Sequence, residues 1–321
     1  MRERGEAFQS SSLVSETRQH ELLTFVRART APEELLPEFR GRQTGRDGFT
    51  LIDLLALIAI MAVLASLLLP ALAKGGPNGQ GLQCMNNLKQ LTVAWSMYAN
   101  DNNDRLVATI GPQELVLGGA PNWMTGSLDF NPANLSNWDT NRDIIKSPLW
   151  SYAEKQAGLL KCPADQSTVV PSSGPYLGQR VPRVRSISMS HVFGNGEWLD
   201  KVFNPNQRVW RTYRKGAEIV IPPKTSLFAD VHPDSINSGS IKAACTGADS
   251  PSTAQIIDFP ANYHNGAAAF SFSDGHTEMH NWIGSKIRDA PIFYGPVPLN
   301  VPAIDSWVDV QWIAEHTTVR R

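Results

Sequence analysis

Two short runs of this 321-residue chain space imidazoles and carboxylates so that one strand face could carry several ligand atoms. Asp230, His232 and Asp234 fall at two-residue intervals after the strand-like Ser226-Leu227-Phe228-Ala229. His276, Glu278 and His280 alternate in the same way. Side chains two apart on an extended backbone share a face, and imidazole nitrogen with carboxylate oxygen suits a divalent cation. The alternatives are an Asx-rich turn for the first run and a solvated sheet face for the second, and spacing alone leaves both open. Glu278 is in the wrong place for the helical His-Glu-x-x-His pattern. Asp139-Thr140-Asn141-Arg142-Asp143 begins like a calcium loop, but Ile144 replaces the required glycine and Trp150 the terminal acid. No Gly-x-Ser-x-Gly elbow, P-loop or Gly-x-Gly-x-x-Gly fingerprint occurs. No nucleophile has a neighbouring base, so no enzyme is expected.

The elements that would hold these residues follow from composition and pattern. Lys plus Arg number 29 against 30 acidic residues, a formal net charge of −1, which gives no basic surface for nucleic acid. Three cysteines without a Cys-x-x-Cys pair exclude a disulfide scaffold, a zinc ribbon and a thioredoxin-like motif. From Leu106 onward, short apolar runs between Gly, Pro and Asn clusters predict a β-rich domain over 101–321, with mostly antiparallel strands. Its clearest hairpin turns at Asp274-Gly275, read as a two-residue type I′ turn. That register sets Phe270 opposite Met279 and Ser271 opposite Glu278, giving one apolar and one polar face. Leu82, Met85, Leu88, Leu91, Trp95 and Tyr98 recur at helical spacing, predicting an amphipathic helix over 82–100 packed on the domain. Gly75-Gly76-Pro77-Asn78-Gly79 predicts a joint over 74–81.

Ahead of that joint, every residue from Leu54 to Leu69 is apolar except Ser66, within a longer run from Phe49 to Ala73. As a helix this run is roughly 35 Å long, enough for a hydrocarbon core of about 30 Å. A transmembrane helix over 49–73 is therefore expected. Arg40, Arg42 and Arg46 precede it and only Lys74 follows closely, which predicts a cytoplasmic N-terminus and an extracytoplasmic C-terminal domain. The fold class expected is α+β: a transmembrane helix, a Gly/Pro break and an amphipathic helix, then the β-rich domain.

The segment Gly48-Phe49-Thr50-Leu51-Ile52-Asp53-Leu54-Leu55 resembles the prepilin cleavage/methylation motif of type IV pilins and type II secretion pseudopilins. The resemblance implies a cytoplasmic leader over 1–48, cut after Gly48 by a prepilin peptidase, and methylation of the new N-terminal Phe49. Asp53 stands where the family has glutamate. It is implied to pair with the N-terminal amine of a neighbouring subunit, which offsets the cost of a carboxylate in lipid. Pro70 stands where pilins carry a helix-kinking proline. The leader departs from the family in its length and in Asp47, where a basic residue is common.

Cys84-Met85-Asn86-Asn87-Leu88, Cys162-Pro163-Ala164-Asp165 and Asp230-Val231-His232-Pro233-Asp234 resemble a pseudopilin-like group named for a prepilin-associated H-x9-DG motif. That motif is present as His264 and, after nine residues, Asp274-Gly275. Turn geometry accounts for Asp274 and Gly275; His264 has no such account. In an extracytoplasmic compartment, where disulfides persist, Cys84 and Cys162 are the expected pair and Cys245 stays free. The function expected is a pilin-like structural subunit. Its partners would be the prepilin peptidase, like or related subunits and an inner-membrane assembly platform; it would need no cofactor beyond a divalent cation at the sites above. The alternative is a singly anchored extracytoplasmic protein that binds carbohydrate or a divalent metal.

Overall fold

The computed structural model describes residues 51–73, 77–109, 119–200 and 208–321. Gly48, Phe49 and the leader lie outside the described residues. The chain divides into two compact units, Met1–Ile58 and Ala59–Arg321. In the first, the described residues open the helix α1 (Leu51–Ala73), and its large apolar side chains are exposed.

The sequence predicted a membrane span over 49–73, and the structure corrects this. Among the described residues no helix is long and apolar enough to cross a membrane. Pro70 falls within the bounds of α1.

The second unit mixes helix and strand, with a sheet-rich C-terminal part. Among the described residues the helix α2 (Pro77–Asp101) precedes nine strands: β1 (Thr168–Val169), β2 (Val181–Pro182), β3 (Ile187–Ser190), β4 (Ser226–Asp230), β5 (Ser240–Ile241), β6 (Gln255–Ile256), β7 (Ala267–Phe272), β8 (Thr277–Asn281) and β9 (Val301–Pro302). Two helices close the chain, α3 (Ser285–Arg288) and α4 (Trp307–Glu315). Five strands form the main sheet in the order β5-β3-β4-β7-β8, antiparallel except for the β3–β5 pair. All residues of β4 and β7 are buried, because the sheet is covered on both faces. The helix α2 packs against β4, β7 and β8. Beside β7, Trp312 of α4 meets Phe270 edge-on at 5.1 Å.

Helix α2 starts earlier than the periodicity suggested. Pro77 opens it, a position where proline's missing N–H is not needed, so Gly79 and Gly81 lie in its first turns rather than in a joint. Its buried stripe is Gly81, Cys84, Leu88, Leu91, Trp95 and Tyr98, whereas Leu82 is exposed. Sequence pattern had given the first places to Leu82 and Met85. A thiol and a glycine hold the buried face because the helix runs close to the sheet there. A Cβ on Gly81 would lie 3.1 Å from Met279 Cε and 3.4 Å from His264 Nδ1.

The β7–β8 hairpin exists, but its register differs by one residue from the expected one. Phe270 faces Glu278, and Ala269 faces Met279. The turn is a three-residue loop: Phe272 donates to the His276 carbonyl and Gly275 to the Phe272 carbonyl, with Gly275 at φ +95°. One extra loop residue exchanges the faces of the returning strand. The resulting α4-side face carries Phe270 and Phe272 with His276 and His280, and the α2-side face carries Ala269 with Met279. Small alanines on the α2 side let the helix approach; rings on the other side fill the space beneath α4.

Candidate metal centre

Four side chains from four separate segments meet in the core beside α2. Cys84 comes from the buried face of α2. Cys162 follows the 3-10 turn Ala157–Leu160, Asp230 ends β4, and His264 lies in the loop before β7. All four are buried, and their ligand atoms lie within 4.8 Å of one another. Cys84 Sγ donates to Asp230 Oδ2 at 3.6 Å. Cys162 Sγ and His264 Nε2 are 3.3 Å apart, and His264 Nε2 is 3.5 Å from Asp230 Oδ2.

Each segment is held in place by its own bonds. The Cys162 amide donates to Ser186 Oγ at 2.8 Å, beside the start of β3. The Ala164 amide points at Cys162 Sγ at 3.4 Å, so the Cys-Pro-Ala-Asp turn directs a backbone dipole at the sulfur. Asn87 Nδ2 donates to the carbonyls of Gly158 and Lys161, fastening α2 to the Cys162 segment. The Ala261 amide donates to the Asp230 carbonyl, tying the His264 loop to the end of β4. Asn265 and Gly266 then turn the chain into β7 with positive φ angles of 58° and 77°.

The electrostatics follow from contact and burial. The neighbouring Cys84 thiol and, against the opposing effect of burial, the His264 imidazole hold the Cys162 thiol down at about 5. That same interaction, followed by burial, raises Cys84. Burial alone would lower His264, but hydrogen bonds to Asp230 and Cys162 outweigh it and raise the imidazole to about 10. Burial drives the Asp230 carboxyl well up. Asp230 Oδ1 and His264 Nδ1 have no hydrogen-bond partner among the described residues. Buried acids and imidazoles in that condition are expensive. Two sulfurs, an imidazole and a carboxylate at these separations can hold a metal ion.

No family model, curated protein or solved structure matches the chain. The site therefore rests on its own geometry.

The ligand runs read from the sequence do not hold together as runs. Asp230 joins the cluster, but His232 and Asp234 do not. The strand β4 ends at Asp230, and the His232 carbonyl accepts from the amides of Ser235 and Ile236, so the chain turns and two-residue alternation ends. His232 Nδ1 accepts the Asp234 amide. The Asp234 carboxylate accepts the amides of Phe293 and Gly295 at 2.6 and 3.3 Å, fixing a distant loop. His276, Glu278 and His280 share a face but meet no common point. His276 stacks on Phe272 with ring centroids 4.2 Å apart, and His280 stacks on Trp312 at 3.7 Å. Asp274 accepts from the His276 amide and contacts its ring, as an Asx-turn requires.

The expected pair Cys84 and Cys162 is brought together, as free thiols that also neighbour Asp230 and His264. Cys245 is free and buried. Sequence reasoning named all four residues of the cluster but never as one set. Cys84 and Asp230 are 146 residues apart, and Cys162 and His264 are 102 apart. The signals were the unexplained His264 and the turn-forming Cys162-Pro163.

Proposed function

We propose that the protein is a structural subunit of prepilin type rather than an enzyme. It is cut after Gly48 by a prepilin peptidase and methylated on Phe49. It then joins copies of itself or related subunits through α1, working with an assembly platform and presenting the sheet domain outside the cytoplasm. One observation carries this reading: from Leu51 to Met61 and at Val63 the side chains of α1 are exposed, and all but Asp53 are apolar. Leu51 and Ile52 are 75% exposed, and Leu54, Leu55, Leu57, Ile58, Ile60, Met61 and Val63 are exposed with them. Covering one such side chain yields about 1.5–3 kcal/mol, and monomers rarely leave a contiguous patch of this kind in water. Matching helices of neighbouring copies are a partner of the right chemistry and length. The Gly48–Asp53 motif supports the same reading.

A second reading is favoured by the buried cluster: the sheet domain binds a divalent cation. The two are compatible, because the helix would serve assembly and the ion would serve the domain's integrity.

Mass spectrometry of the chain from a peptidase-competent host tests the first reading. It is expected to find methyl-Phe49 as the N-terminus; an intact leader overturns processing. Cysteine crosslinking at Leu57 is expected to give a ladder of oligomers. Monomers alone would overturn assembly, and an Asp53→Asn variant is expected to thin the ladder.

A further inference from the structure

We infer that the Cys84, Cys162, Asp230 and His264 cluster is a closed structural zinc site that clamps α2 to the sheet. This deepens the cation-binding reading and is independent of assembly. An ideal tetrahedral zinc ion, with bonds of about 2.3 Å to sulfur and 2.0–2.1 Å to nitrogen or oxygen, sets its ligand atoms roughly 3.3–3.8 Å apart. The three separations given above are 3.6 Å for sulfur to oxygen, 3.3 Å for sulfur to nitrogen and 3.5 Å for nitrogen to oxygen. Each is within about 0.3 Å of the tetrahedral edge for its atom pair. The other three pairs lie within 4.8 Å, so seating the ion takes a shift on the order of 1 Å.

The donor set names the metal class. Two thiolates disfavour magnesium and calcium, which take oxygen shells of six or more. Sulfur, imidazole and a single carboxylate in four-coordinate geometry suit zinc. Four protein ligands fill the tetrahedron, which leaves no position for substrate water, as in structural rather than catalytic sites. The surroundings agree. The Ala164 amide already points at Cys162 Sγ, the orientation that neutralises a metal-bound thiolate. His264 offers Nε2 to the ion and itself borders a cavity of about 330 Å³ lined also by Gly81, Met85, Met279 and Asn281. The ligands come from α2, the Cys162 turn, β4 and the β7 loop, so the ion adds a joint among pieces already linked by packing and a few hydrogen bonds.

Elemental analysis of the full-length chain, purified without chelator and then supplied with zinc, tests the inference. About one zinc per chain is expected, and cobalt(II) replacement should give the intense visible bands and thiolate charge transfer of a tetrahedral sulfur site. Cys84→Ser and His264→Ala should each lower bound zinc at least tenfold, while Cys245→Ser and His276→Ala should keep it. Chelation of the wild type should lower Tm by on the order of 10 °C, a readout that does not depend on any variant folding. Zinc below a tenth of an ion per chain overturns the inference, as does an unchanged content in His264→Ala. Stoichiometric copper or iron in preference to zinc overturns the choice of metal but leaves a metal centre. A Cys84–Cys162 disulfide after anaerobic purification, with no metal taken up, overturns both.

Discussion

His191 is the residue through which acid should act most cleanly on this fold. It lies in the 3-10 turn that follows β3, 4% exposed, and neither ring nitrogen has a hydrogen-bond partner among the described residues. Burial lowers its pKa to about 3, against about 6.5 in an unfolded chain. Between those values the unfolded state binds a proton that the native state refuses. Stability is thus fully present above pH 6.5 and falls as pH drops toward 3. The loss approaches about 1.4 kcal/mol per pH unit and reaches about 2 kcal/mol at pH 5. Asp258 works in the opposite sense: burial raises it to about 6, so its folded form gains relative stability as pH falls through 6. Comparing His191→Phe with the wild type removes this and every other shared contribution. Phenylalanine keeps a flat ring of similar size and carries no titrating group. Urea unfolding followed by tryptophan fluorescence should therefore find the two proteins within about 1 kcal/mol at pH 8. At pH 5 the variant should be the more stable of the two by about 2 kcal/mol relative to that baseline. Parallel stability profiles for the two proteins, or a His191 ring that titrates near 6.5 by NMR, would refute the reasoning.

Leu88→Ala should cost about 2–5 kcal/mol in urea unfolding, because the side chain is wholly buried between α2 and the sheet. Asp234→Ala should release the loop at Phe293 and Gly295, seen as faster proteolysis there and a loss of about 1–3 kcal/mol. Gly275→Ala should cost about 1 kcal/mol through its positive φ alone, since a Cβ there meets nothing within 4 Å; a Tm unchanged to within error would contradict this.

What could be read from the chain, and what could not, divides by the reach of the signal. Asp274-Gly275 announced a turn because the conformation it needs is local. Its register escaped because a two-residue and a three-residue loop share the same glycine, and only the Phe272–His276 pairing decides between them. The stripe through Leu88, Leu91, Trp95 and Tyr98 was legible from helical spacing, whereas its first members were not. Periodicity favours the bulky Leu82, while the fold uses Gly81 and Cys84 to bring the helix against His264 and Met279. The strand-spaced histidines misled because alternation holds only while the strand lasts, and β4 stops at Asp230. The metal set has no local grammar at all. Its members fall on four elements, and only the tertiary path through Ser186, Asn87 and Ala261 gathers them.

The scatter of those ligands along the chain also fixes an order of events during synthesis. Cys84 leaves the ribosome long before His264, so the first thiol must wait, uncommitted, while most of the domain is still being made. Contacts over such separations form late and slowly. A chain cut short before the β7 loop would hold three donors and no fourth, with α2 left loosely seated. Completion of the centre therefore reports that the chain has reached the loop before β7, and a cell could distinguish finished chains from unfinished ones by the accessibility of two sulfurs.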